Sequence, residues 1–173
     1  MTPGYDDIAA VYDSLFADEQ SLLENRAVFE MIGDVSGLSV LDVGCGTGLF
    51  LDYAQPGSYL WVDPSEGMLA QFTRRHPGGV VKATLADYAA GNGHAQFDLA
   101  VALFGAASYL SEGELRTLKT LAGRVFAMFY KPGYTPETYL RTGVFVTQEW
   151  SDPHALGAPT GEVGNFVVVD WNE

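Results

Sequence analysis

The sequence predicts an α/β fold in which a doubly wound, mostly parallel sheet carries helices on both faces. Short, continuous apolar runs such as residues 38–43 suit strands that are buried on both faces of a parallel sheet. Segments with apolar residues at helical spacing lie between these runs. A glycine-rich turn at residues 44–48 joins the first strand to a helix. Alternation of this kind is typical of a parallel sheet with crossover helices.

Length and composition predict one folded domain and exclude some partners. The 173 residues are 47% hydrophobic, which is enough for a buried core. We expect a single domain over residues 1–173, with N-terminal helices at 1–36, a core at 37–130 and a β-rich part at 131–173. Acids outnumber bases 22 to 9, and the net charge of −13 disfavours nucleic acid and anionic membranes as partners.

The sequence predicts a cytoplasmic protein, because it lacks the features of secreted and membrane proteins. Cys45 is the only cysteine, so no intramolecular disulfide forms, which fits a reducing cytoplasm. We expect no signal peptide, since the N-terminus has neither a basic region nor a long apolar run. No stretch of about 18 apolar residues predicts a membrane span, and no metal site is expected.

Two helices are predicted before the first strand. Residues 5–16 place apolar side chains at helical spacing, with Tyr5 and Tyr12 beside the stripe. Residues 18–35 predict a second helix, which a capping box of Ser21 and Glu24 would start a few residues later. The apolar face of this second helix is predicted to contain Leu22, Leu23, Val28, Phe29, Met31 and Ile32.

The turn after the first strand has the features of a nucleotide or nucleoside site. Asp42 lies near the end of the strand, and Gly44, Gly46 and Gly48 let the backbone turn and approach a ligand closely. The dinucleotide pattern G-x-G-x-x-G is not met, because Leu49 takes the third glycine position. A phosphate loop would need a lysine that is absent here. A tight turn without a ligand is the alternative.

The run V-L-D-V-G-C-G-T-G at residues 40–48 resembles motif I of the class I S-adenosylmethionine-dependent methyltransferases. The resemblance implies a Rossmann-like, seven-stranded sheet with an antiparallel C-terminal strand. It also implies S-adenosylmethionine (SAM) as the cofactor and S-adenosylhomocysteine (SAH) as the product. By this resemblance Asp42, Gly44, Cys45, Gly46 and Gly48 lie around the amino-acid part of the cofactor.

The second strand, residues 58–62, is followed by an acid in the position of a ribose ligand. Asp63 ends this strand, where a carboxylate can accept hydrogen bonds from both ribose hydroxyls. The run W-V-D-P-S-E-G-M-L resembles the family's G-x-D-x-S-x-x-M-L, with Trp61 in place of glycine, which leaves less room beside the cofactor. Pro64 is predicted in the first helical turn. The resemblance implies that Met68 lines the adenine pocket, while a role in filling the core is the alternative.

The third and fourth strands, residues 80–84 and 97–104, complete the predicted cofactor site. Ala86 and Asp87 resemble the small residue and acid that contact the adenine amino group in the family, while a helix cap at Asp87 is the alternative. Phe104 ends the fourth strand, which faces the cofactor sulfur in this fold.

The residues after the fourth strand predict the kind of acceptor. The sequence F-D-L-A-V-A-L-F-G-A-A-S-Y-L resembles small-molecule methyltransferases, notably those acting on amino sugars. The [DNS]-P-P-[YF] motif of enzymes that methylate bases is absent, as is the acidic pair of protein arginine methyltransferases.

The rest of the chain predicts further helices and strands. A capping box of Ser111 and Glu114 precedes a helix at residues 115–121, and a fifth strand follows at 124–130. A short helix starts near residue 135, and strands are predicted at 144–150 and 166–171 with a loop over 151–164 between them.

Few residues are candidates for contact with a methyl acceptor. Tyr12 and Tyr109 are predicted to orient it, and His154 is a candidate base in the late loop. Two further histidines, His76 and His94, are predicted in turns on the far side of the sheet.

The run Y-D-D-I-A-A-V-Y-D at residues 5–13 resembles the opening of many small-molecule methyltransferases, in which this segment folds over the cofactor and helps to form the acceptor pocket. The resemblance implies a cofactor lid within residues 1–36 and a cofactor contact by Tyr12, while an ordinary amphipathic helix is the alternative.

The leading hypothesis is SAM-dependent methyl transfer to a small-molecule nitrogen or oxygen acceptor by in-line displacement, with a homodimer that could complete the acceptor pocket. The first alternative is a SAM-binding accessory subunit or an inactive relative. A protein or nucleic-acid methyltransferase and a nicotinamide-dependent enzyme are the other two.

Overall fold

A seven-stranded sheet forms the centre of the molecule. The computed structural model describes residues 5–76, 78, 80–134 and 150–173. The strands are β1 (Ser39–Val43), β2 (Ser58–Asp63), β3 (Val80–Lys82), β4 (Phe97–Ala102), β5 (Ala122–Tyr130), β6 (Gly161–Val163) and β7 (Phe166–Asn172). Their order in the sheet is β3-β2-β1-β4-β5-β7-β6. Strand β7 is antiparallel to both of its neighbours, and β1 to β5 pair in parallel, which confirms the predicted fold class.

Six α-helices lie around the sheet in the described ranges. They are α1 (Tyr5–Ile8), α2 (Glu19–Ile32), α3 (Leu49–Tyr53), α4 (Glu66–Arg75), α5 (Leu85–Asn92) and α6 (Glu112–Leu121). Short 3-10 turns occur at Tyr12–Phe16, Ala106–Tyr109 and Pro153–Ala155. Four of these helices have an N-cap residue whose side chain accepts a backbone N–H of the first turn. The four N-cap residues are Asp18, Ser65, Thr84 and Ser111.

The core has two layers because neighbouring residues of each strand point to opposite faces. On β1, Leu41 packs with the apolar residues of α6, whereas Val40 packs with α2 and Phe50. The chain order reverses at β1, whose neighbours are β2 and β4. Ligands of open α/β sheets bind outside the strand ends at such a point.

Several predicted boundaries are corrected. The predicted helix at 5–16 is the short α1 followed by a 3-10 turn. Helix α2 begins after Asp18, whose Oδ1 accepts the N–H of Ser21 at 2.9 Å, rather than at a capping box of Ser21 and Glu24. Leu22, Leu23 and Met31, predicted on the apolar face of that helix, are exposed.

Three further differences concern helix starts and the C-terminal part. Pro64 precedes the N-cap Ser65 instead of lying in the first turn. Thr84, and not Asp87, caps α5, because the third strand ends at Lys82. Strand β6 lies inside the predicted loop 151–164. The predicted strand 144–150, apart from Trp150, and the short helix near residue 135 lie outside the described residues.

Within the described residues, no helix combines the length and apolar character that a membrane crossing requires. The same part of the chain holds no cluster of three or more side chains suited to a metal ion.

Candidate functional site

The glycine loop between β1 and α3 is a turn that only glycine fits well. Gly44, Gly46 and Gly48 have φ angles of 70°, 57° and 94°. A Cβ on Gly44 would lie 2.9 Å from the Cβ of Ala106, and one on Gly48 would lie 2.8 Å from the His76 ring. Around Gly46 nothing lies within 4 Å of the Cβ position. The backbone at Gly46 therefore faces open space that a side chain would fill.

Asp63, at the end of β2, forms a hydrogen bond with this loop. Its Oδ2 accepts the N–H of Gly46 at 2.9 Å, and its Oδ1 accepts the N–H of Ser65 at 2.8 Å. The side chain is buried, and this burial raises the pKa of Asp63 above its ordinary value although both hydrogen bonds oppose the shift. A carboxylate has about four lone-pair sites, so each oxygen retains capacity for a ligand hydroxyl.

Two cavities flank the glycine loop. The first has a volume of about 230 Å³ and lies between the ends of β2 and β3 and the N-terminal residues. The second has a volume of about 690 Å³ and lies between the loop, α2 and the end of β5. Residues that line both cavities are Tyr12, Gly44, Gly46, Leu103 and Phe104. Because they share these walls, we treat them as two chambers of one cleft.

The structure brings most of the predicted site residues to this cleft. The first chamber is lined by Tyr12, Gly44, Gly46, Asp63, Pro64, Met68, Phe104 and Tyr109 among others. Asp42 and Cys45 line the second chamber. Gly48, Ala86, Asp87 and His154 line neither chamber.

The adenine contact predicted for Ala86 and Asp87 has no support from the geometry. Asp87 is an exposed residue on the first turn of α5, and the backbone N–H of Ala86 already bonds to Glu114 at 3.2 Å. The chamber is lined instead by Thr84, Leu85 and Glu114. The sequence predicts Glu114 as part of a capping box, and the structure contains this capping box. A capping box does not indicate that its glutamate lines a cavity.

Asp42 is a buried carboxyl beside the second chamber. It accepts a short hydrogen bond from the Tyr59 hydroxyl. Burial raises the pKa of Asp42 to about 7, with Asp63 adding to the shift and Tyr59 opposing it. Burial also raises the pKa of the nearby Cys45 thiol, so this cysteine is not an activated nucleophile.

Two expectations about neighbouring side chains are wrong. His76 does not lie far from the loop: its ring is beside Gly48, and its Nε2 is 3.1 Å from Asp52 Oδ1. Trp61 does not narrow the cofactor side, because its ring stacks on Phe72 at 4.6 Å and lines neither chamber. The tryptophan is accommodated on the α4 side of β2.

Tyr109 and His154 have different surroundings. The hydroxyl of Tyr5 donates to that of Tyr109 at 3.3 Å, and burial raises the pKa of Tyr109 above its ordinary value. Tyr109 is therefore protonated at neutral pH and suited to orienting a ligand rather than to removing a proton. His154 is exposed, and its Nδ1 is 3.0 Å from Asp152 Oδ1.

The chain is similar to known proteins in both its sequence and its fold. The family model described as "methyltransferase domain" matches residues 41–127, half of the chain. Among solved structures, Streptomyces venezuelae DesVI has 25% identity and a TM-score of 0.54, over 75% of this chain and 59% of its own. The chain therefore spans less than two thirds of that protein. No curated protein sequence gives a significant match.

Two other solved structures share the fold. The DhpI–SAH complex has 20% identity and a TM-score of 0.57, over 73% of this chain and 66% of its own. The sugar N-methyltransferase KedS8 from a Streptoalloteichus species has 23% identity and a TM-score of 0.51, over 79% of this chain and 57% of its own.

Proposed function

Because the chain belongs to the methyltransferase domain family, we propose that it transfers a methyl group from SAM to a small-molecule nitrogen or oxygen acceptor. The observation that carries the proposal is the cleft itself, with a buried carboxylate on its first chamber and an open glycine backbone between its two chambers. When bound, the sulfonium of SAM supplies the reactive methyl group, and SAH remains after transfer.

The residues present fit this cofactor. Asp63, Met68 and Leu85 all line the first chamber, which supports a role of Asp63 in accepting the ribose hydroxyls and of the two apolar side chains in contacting the adenine. Gly46 leaves its backbone open to the amino-acid part, with Asp42 lining the adjoining chamber. The protein's own contribution is position and exclusion of water. Tyr12, which lines both chambers, and Tyr109, which lines the first, are proposed to orient the acceptor where the chambers meet.

The second chamber favours a small acceptor. Its volume of about 690 Å³ lies within the roughly 300–1,000 Å³ that is typical of small-molecule pockets. The net charge of −13 disfavours a nucleic-acid substrate. KedS8, whose fold is similar, is a sugar N-methyltransferase, which supports a metabolite as acceptor. One chain forms both chambers, so the proposal does not require the homodimer.

Calorimetry with SAM, SAH and NAD tests the cofactor. We expect binding of both sulfur ligands and none of NAD, and the reverse pattern would contradict the proposal. Transfer of labelled methyl from SAM to a panel of amines, phenols and carboxylates then tests the reaction. SAH binding without transfer to any member of the panel would favour the alternative, a cofactor-binding accessory protein.

Glu114, rather than Asp87, is proposed to accept a hydrogen bond from the adenine amino group. We expect Glu114→Gln to raise the Kd for SAH roughly 10-fold, since a bond to a charged acceptor is lost. Glutamine still forms a capping box, so α6 should begin normally. Asp87→Asn, a matched change on the exposed neighbour, should leave the Kd unchanged.

A ligand analogue sharpens this test. S-inosylhomocysteine carries a carbonyl in place of the adenine amino group, so it should bind the wild type more weakly than SAH does. The amide of Glu114→Gln can donate to that carbonyl, and this variant should lose most of the preference. A loss of affinity in Asp87→Asn but not in Glu114→Gln would return the role to Asp87.

A further inference from the structure

The N-terminal strap, residues 5–16, contains the dipeptide Tyr-Asp twice. Tyr5-Asp6 and Tyr12-Asp13 are seven residues apart. Both tyrosines line the first chamber, with ring centroids 6.1 Å apart, and Tyr12 also lines the second chamber. Each of the two strap tyrosines is therefore followed directly by a carboxylate.

The first carboxylate, Asp6, is bonded to the start of α4. Its Oδ1 accepts the Ser65 hydroxyl at 2.6 Å and the Gly67 N–H at 2.7 Å. Ser65 is the N-cap of α4 and lines the first chamber next to Asp63. Both hydrogen bonds lower the pKa of Asp6, so it is ionised at neutral pH.

The second carboxylate, Asp13, is bonded to the glycine loop beside the second chamber. Its Oδ1 accepts a short hydrogen bond from the Thr47 hydroxyl, and its Oδ2 is 2.9 Å from Arg75 Nη1. The same Arg75 nitrogen donates to the Thr47 carbonyl at 3.2 Å, and its other terminal nitrogen pairs with Asp52. Asp13 is thus tied to the loop and to the end of α4.

The strap itself buries little apolar surface. Ile8 packs with Tyr5, Tyr12, Tyr109 and Trp150, and Ala9 is buried. Val11 is 53% exposed and Phe16 is 36% exposed. A segment with so few buried apolar side chains depends on its polar attachments for its position. Those attachments include the two carboxylates that follow Tyr5 and Tyr12 and the hydrogen bond from the Tyr5 hydroxyl to that of Tyr109.

We propose that Asp6 and Asp13 are positioning residues, which hold Tyr5 and Tyr12 over the cleft and so slow the release of SAM and SAH. The inference rests on the proposed function, because it assigns the cleft to that cofactor. Asp6 anchors the strap at Ser65, which lines the first chamber, and Asp13 anchors it at Thr47, which lines the second chamber. A ligand that leaves the cleft past the strap therefore requires the release of at least one anchor. Asp6 lines neither chamber, and Asp13 lines only the second.

The dissociation rate of SAH, measured by stopped flow, tests the proposal. We expect Asp6→Asn and Asp13→Asn each to raise this rate roughly 10-fold, as for loss of a bond to a charged group. The association rate should change little, so Kd should rise by a similar factor. Asp7→Asn is the matched control, because Asp7 is an exposed acid in α1 whose side chain makes no hydrogen bond to any other described residue.

Hydrogen–deuterium exchange of the ligand-free protein gives a second readout that needs no cofactor. Amides of residues 5–16 should exchange faster in both anchor variants and at the wild-type rate in Asp7→Asn. If the wild type binds SAH and both anchor variants release it at the wild-type rate, the proposal is overturned. A wild type that fails to bind SAH would refute the cofactor assignment and the role in release, while the exchange data would still show whether the carboxylates anchor the strap.

Thermal unfolding distinguishes a role of the two aspartates in stability alone from a role in positioning the tyrosines. If the anchor variants lower the Tm of the ligand-free protein while the SAH dissociation rate is unchanged, the aspartates stabilise the fold without positioning the tyrosines. Thr47→Val removes the donor on the other side of one anchor. The double variant with Asp13→Asn should release SAH no faster than Asp13→Asn alone, because both changes break the same contact. Additive effects would contradict a shared anchor.

Discussion

Replacing Asp63 with alanine is expected to raise the Kd for SAM by roughly 100-fold or more, since two hydrogen bonds to a charged acceptor would be lost. The same carboxylate also accepts the N–H groups of Gly46 and Ser65, so its removal loosens the glycine loop and the start of α4 together. Calorimetry with SAH and SAM measures the effect. Binding that is unchanged in Asp63→Ala would contradict the cofactor site.

Asp98→Ala is the matched control for this experiment. Asp98 is also an aspartate on a parallel strand, and its Oδ2 accepts the backbone N–H of Ser39 at 2.8 Å. It lies near the beginning of β4, whereas the cleft lies beyond the carboxyl ends of the parallel strands. We expect Asp98→Ala to lower the free energy of unfolding without changing the Kd for SAH. A comparable loss of binding in both variants would indicate general destabilisation.

Replacing Asp42 with asparagine is expected to stabilise the protein above neutral pH. Burial raises the pKa of Asp42 to about 7, whereas the unfolded chain has the ordinary value of 3.8. Between these values the folded state holds a proton that the unfolded state has released. The contribution of Asp42 to the free energy of unfolding is therefore full below pH 4 and is lost as the pH rises through 7.

The comparison of wild type and Asp42→Asn isolates this contribution, because asparagine does not titrate. From pH 5 to pH 8 the difference in unfolding free energy should shift in favour of the variant, by on the order of 3 kcal/mol. Urea unfolding at the two pH values measures it. A difference that does not change with pH would contradict a raised pKa. The variant should also bind SAH more weakly, because Asp42 lines the second chamber, so stability and binding would change in opposite directions.

The parts of the site that follow from one strand and the turn after it are predictable from sequence. Asp42, the three loop glycines and Asp63 are fixed by the ends of β1 and β2, and parallel strands bring such ends together. The role of Glu114 is not predictable in this way. It is 28 residues from Ala86, its hydrogen-bond partner, and their proximity depends on how α5 packs against α6.

Predictions of helix and strand bounds from local sequence patterns are wrong where tertiary contacts determine the backbone conformation. The apolar spacing of residues 5–16 favours one helix, yet the carboxylates of Asp6 and Asp13 bond to two separate elements and the chain turns between them. The third strand stops at Lys82, two residues before its predicted end, which places Thr84 rather than Asp87 at the cleft. Strand β6 has only three residues, too few for a periodic pattern, and pairs only because β7 is beside it.

The single thiol of the chain offers a built-in chemical reporter for the glycine loop. Cys45 lies between Gly44 and Gly46, is 6% exposed, and has a raised pKa because it is buried. Both properties slow alkylation, so a reagent such as iodoacetamide should react at a rate set by how often the loop opens. No foreign label is needed to time that opening, and mass spectrometry has one site to follow.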